Sequence, residues 1–112
     1  GQSDTVLTRV IKHAELVRAP GLAPALELLK SGKADAIGNI KPSLFELAGQ
    51  LPGSRVLEGR FATEHIAMAV PKGREAGLAY ARKFIQDVKS EGLAKAAVER
   101  AGARGAVVVP SE

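Results

Sequence analysis

Apolar positions along the chain follow two patterns that alternate. Val6, Leu7, Val10 and Ile11 recur at helical spacing after Gly1-Gln2-Ser3-Asp4, where Ser3 is suited to cap a helix, and predict a short helix over 4–12. Leu22, Ala25, Leu26 and Leu29 form one face of a second helix. Its first turn holds Pro24, where a missing N–H is harmless, and Ser31-Gly32-Lys33 is its stop. A third helix starts at Pro42, turns Leu44, Leu47, Ala48 and Leu51 inward, and ends at Pro52-Gly53. Leu78, Ala81, Phe84, Ile85 and Val88 mark a helix over 75–90, and another is predicted over 92–101.

Between these lie short runs with no helical period. They are Glu15-Leu16-Val17-Arg18, Ala34-Asp35-Ala36-Ile37-Gly38, Arg55-Val56-Leu57, His65-Ile66-Ala67-Met68-Ala69-Val70 and Ala106-Val107-Val108-Val109. Turn residues bound most of them, as at Ala19-Pro20-Gly21 and Pro71-Lys72-Gly73, so each reads as a strand. The run 65–70 is the strongest of the five. Alternating strands and helices predict an α/β fold with a parallel sheet flanked by helices.

Composition adds limits. The chain has 112 residues, 46% of them hydrophobic and 25% charged, which is the range of an ordinary globular domain. No apolar run approaches the roughly 18 residues of a transmembrane helix, and the first residues have neither the basic start nor the apolar stretch of a signal peptide. An exported form would therefore have lost its signal. The net charge of +4 is spread evenly, with as many basic residues before position 64 as after it, and the four aromatic residues are not interleaved with them. That distribution argues against a nucleic-acid footprint or a stacking platform. With no cysteine, neither a disulfide nor a thiolate metal site can form.

Candidate chemistry is sparse. His13 ends a helix and reads as a cation at a helix C-terminus, and His65 reads as a packed or hinge residue. Asp35 has no partner acid or base in its neighbourhood of sequence. The glycines compose no phosphate loop or dinucleotide fingerprint. An enzyme is not expected, and neither a cofactor nor a metal is. Two positions suit a ligand. Gly1-Gln2-Ser3 precedes a helix whose free N–H groups favour an anion, so Ser3 can cap the helix, hold a carboxylate, or do both. Asn39 stands at the carboxyl end of the 34–38 run, the place where open α/β sheets hold ligands, although a turn role fits it equally.

Gly-x-Ser ahead of a helix, a short strand near Leu16-Val17, the segment Ala25-Leu26-Glu27-Leu28-Leu29-Lys30-Ser31-Gly32-Lys33-Ala34-Asp35-Ala36, and the run His65-Ile66-Ala67-Met68-Ala69-Val70-Pro71-Lys72-Gly73 together resemble the extracellular solute-binding proteins of family 3. The resemblance covers nearly the whole chain. It implies the C-terminal portion of a type II periplasmic binding protein, whose two lobes close on a small solute for delivery to the membrane permease of an ABC importer. Residues 1–63 resemble the second, inserted lobe without its first strand. Residues 64–112 resemble the returning hinge strand and the C-terminal helices of the first lobe. The implied location is the periplasm, and a ligand-sensing regulatory domain of the same fold is the alternative.

The resemblance also implies the contacts: Gly1, Gln2 and Ser3 for a carboxylate, with Gln2 departing from the family's hydroxyl residue, and Asn39 where the family has an Asp for the ammonium. A neutral amide does not offset a cation's charge, and burial of an unpaired cation is costly. The expected ligand is therefore amino-acid-like or carboxylate-bearing, and either not a standard α-amino acid or one whose amine is held elsewhere. With much of the first lobe absent, swapping, dimerisation or a complementing fragment is expected.

Overall fold

In the computed structural model, which describes residues 1–111, the chain is all-helical. Five helices follow one another: α1 (Gln2–Val10), α2 (Leu22–Lys30), α3 (Lys41–Gln50), α4 (Glu75–Ser90) and α5 (Leu93–Arg100). They divide between two compact units, Gly1–Glu64 and His65–Glu112.

The helices lie where their apolar spacing puts them. At their ends, backbone chemistry outweighs side-chain caps, since none of the five has a side-chain hydrogen bond at its start. α1 begins two residues earlier than the apolar pattern predicts. The Gly1 carbonyl accepts the Thr5 N–H at 3.2 Å, so Gly1 is the cap and Ser3 lies within the first turn. α2 stops through Gly32, whose φ of +73° is open to glycine at little cost. There the Lys33 N–H reaches back to the Leu28 carbonyl at 2.9 Å and the Gly32 N–H to Leu29 at 3.2 Å, which satisfies two carbonyls left over at the helix end. Gly102, with φ +62°, ends α5 in the same way through Ala103 and Val98.

The predicted α/β fold with a parallel sheet is not what forms. Among the described residues there is no strand, and the runs 15–18, 34–38, 55–57, 65–70 and 106–109 are irregular, without a ladder. A strand is defined by a partner backbone about 4.8 Å away that takes its N–H and C=O groups. Among the described residues, the backbone hydrogen bonds outside the helices close local turns and caps, as where the Ala34 N–H reaches the Leu28 carbonyl six residues back. A parallel strand also needs cover on both faces, whereas residues 65–69 are all exposed. Apolar composition thus supplied the material of strands and no neighbours to pair with.

Packing is light in both units. In the first, only Leu26 on α2 and Leu47 on α3 are buried, and in the second α4 and α5 pack together without burying any residue fully. The chain exposes 9152 Å², whereas one compact body of its 11.7 kDa exposes about 5,900 Å² and two separate bodies sharing that mass about 7,000 Å². Some 2,000 Å² per chain is thus open beyond what compact units would leave. Ile66 at 91% exposure and Val107 at 83% are the most open of the large apolar side chains.

Candidate functional site

The first unit holds all four residues singled out by the sequence, and α1 is the element around which they are arranged. Gly1, Gln2 and Ser3 form its start. Because the first intrahelical bond is the one from Thr5 to Gly1, the N–H groups of Gln2, Ser3 and Asp4 precede it. These donors and the positive end of the helix dipole favour an anion. Gly1 and Gln2 are exposed and Ser3 is half-buried.

Asp4 places a competing negative charge in this first turn. Arg18 answers it. The Arg18 Nε donates to Asp4 Oδ1 at 2.8 Å, and its Nη2 donates to Thr8 Oγ1 at 3.0 Å. Thr8 in turn donates its hydroxyl to the Asp4 carbonyl at 2.7 Å. The guanidinium therefore spans two successive turns of α1 and ties the 15–18 run to it. Both charges are about half exposed, so the pair adds little to stability and acts mainly to offset the Asp4 carboxylate.

Leu7, on the same face of α1 as Asp4 and Thr8, meets the run that ends at Asn39. A Cβ built on Gly38 would lie 2.7 Å from Leu7 Cδ1 and 3.7 Å from Phe61 Cε1. The 34–38 backbone therefore runs against the Leu7 side chain, and the absent side chain of Gly38 permits that approach. Asn39 follows directly and is half-buried. Its Oδ1 accepts the Ile40 N–H at 2.8 Å, so the carboxamide is engaged with the backbone that leads into α3. Among the described residues no hydrogen bond joins Asn39 to Gly1, Gln2 or Ser3: the structure sets them on one helix and on a run that meets that helix at Gly38.

An open groove of about 500 Å³ lies between α2 and α3, lined by Leu22, Leu26 and Leu47 together with Glu27, Lys30 and Glu46. Lys30 Nζ donates to Glu27 Oε1 at 3.2 Å across one turn. The apolar spacing marks Leu26 and Leu47 as inward positions but gives no sign that their helices leave a groove. The Arg18–Asp4 pair is likewise not evident from spacing; an acid in a first turn and a basic residue on a nearby apolar run are its only signals.

No group of three or more metal-ligating side chains occurs among the described residues, and His13 and His65 are both exposed. No described helix is long and apolar enough to cross a membrane. No protein-family model, curated protein or solved structure matches the chain.

Proposed function

We propose that the chain binds a small carboxylate-bearing solute for uptake, as the periplasmic binding component of an ABC importer that hands its ligand to a membrane permease. The observation that carries this reading is the arrangement around α1. Its first-turn N–H groups precede the helical bonding, the acid beside them is offset by Arg18, and the run ending at Asn39 packs on the same helix through Gly38. A carboxylate at Gly1, Gln2 and Ser3 uses hydrogen-bond donors and a favourable dipole, with no covalent chemistry. Asn39 supplies an amide in place of a charge and so favours a ligand whose nitrogen is neutral, or whose ammonium stays in water.

The test is a thermal-shift and calorimetric screen of the chain against amino acids, neutral amides of amino acids and simple carboxylates. Binding of a carboxylate-bearing compound that is weakened by Arg18→Ala, through the unopposed Asp4 charge, is the expected result. Asn39→Asp should move the preference toward compounds with an ammonium group. If no solute shifts the unfolding temperature and neither substitution changes that, the proposal fails.

A further inference from the structure

The run that links the two units carries an apolar pattern with nothing laid on it. Residues 62–69 are exposed without interruption, and Ile66 and Met68 are 91% and 59% open. Read outward from Met68, the sequence is self-complementary when reversed. Ala67 matches Ala69, Ile66 matches Val70, and the acidic Glu64 matches the basic Lys72. Two copies laid antiparallel about Met68 therefore set apolar against apolar and place a Glu64–Lys72 pair at each end, an arrangement in which directly opposite residues attract.

We propose that the chain forms a two-fold dimer by antiparallel pairing of residues 64–72 with the same residues of a second copy. The register accommodates Pro71, which has no N–H to give. Opposed residues alternate between pairs that exchange hydrogen bonds and pairs that do not. With Met68, Ile66–Val70 and Glu64–Lys72 as the bonded pairs, Pro71 falls in a non-bonded one and no ladder bond is lost. A slip by one residue would put Pro71 in a bonded position and bring Glu64 out of line with Lys72.

The occupant that this pattern fits is a second copy of the chain. A two-fold partner meets each patch with a copy of itself, which a self-complementary sequence satisfies and an unrelated partner does not.

Sedimentation equilibrium and light scattering on the full chain test the proposal. The wild type is expected as a dimer at micromolar concentration. Glu64→Lys and Lys72→Glu, each of which opposes like charges at both ends of the pairing, should weaken association by roughly tenfold. The double variant E64K/K72E should restore it, with helical circular dichroism unchanged throughout. Because the chain has no cysteine, Met68→Cys provides a second readout: placed on the two-fold axis, it should oxidise to a linked dimer well before Ala67→Cys does. A monomeric wild type, single charge variants that leave association untouched, a double variant no tighter than the singles, or equal cross-linking at 67 and 68 would each overturn the pairing.

Discussion

At the scale of single residues, two glycines make opposite demands. Gly38 sits where a Cβ would fall 2.7 Å from Leu7 Cδ1, so Gly38→Ala forces that leucine to turn aside. Leu7 Cδ1 is the tip of a movable side chain, and the expected loss is about 1 kcal/mol by urea unfolding, at the low end of overpacking costs. Gly49 lies within α3 with nothing within 4 Å of its virtual Cβ. There Gly49→Ala should stabilise the first unit by about 0.5 kcal/mol, because alanine has less backbone freedom to lose in a helix. If both variants move unfolding in the same direction, the close approach at Gly38 is refuted. The sequence places Gly49 within a helix and Gly38 at the end of an apolar run, but only the contact from α1 shows that Gly38 has no room for a side chain.

At the scale of elements, the first unit depends on one pair of leucines. Leu26 and Leu47 are the only buried hydrophobic side chains among the described residues, and they come from α2 and α3. Leu47→Ala or Leu26→Ala should each cost about 2 kcal/mol, near the lower limit for a core leucine because the adjoining groove is open. Chemical denaturation followed by circular dichroism measures this, and a loss below a few tenths would mean that the two helices do not support each other. In the second unit, α4 shows a titration of known sign. The hydrogen bond to Asp87, together with its charge, holds the Lys83 ammonium above its ordinary value of 10.5. A raised lysine contributes stability that is complete below that value and disappears as pH rises through the higher folded one. α4 should therefore lose some helicity only above about pH 10.5, and Asp87→Asn should abolish that step.

At the scale of the whole molecule, the surface left open governs behaviour. Folding covers less area here than in a compact protein of equal length, and the denaturant dependence of stability follows the area exposed on unfolding. The urea m-value of the undimerised chain should be about 70% of that of a compact 112-residue protein. Association through residues 64–72 would raise the unfolding temperature with protein concentration, because the dimer binds a second copy only when folded. A steep, concentration-independent transition would contradict both statements. At the candidate site, Arg18 and the close approach at Gly38 bring the neighbouring runs to one face of α1.

The helices were legible in the sequence because a helix closes its own hydrogen bonds. Leu22, Ala25, Leu26 and Leu29 at the right spacing, with Gly32 to stop them, needed no information from elsewhere, and α4 follows its apolar spacing to both ends. The predicted strands were not decided in this way, since the apolar runs at 34–38 and 65–70 state only that a strand would be tolerated. A ladder needs another backbone alongside, and among the described residues no strand pairs with either run. The site divides along the same line. Residue types at Gly1, Gln2, Ser3 and Asn39 are local and readable, whereas the Arg18 bridge to Asp4, which spans fourteen residues, and the seat of Gly38 on Leu7 exist only once the chain has brought distant positions together.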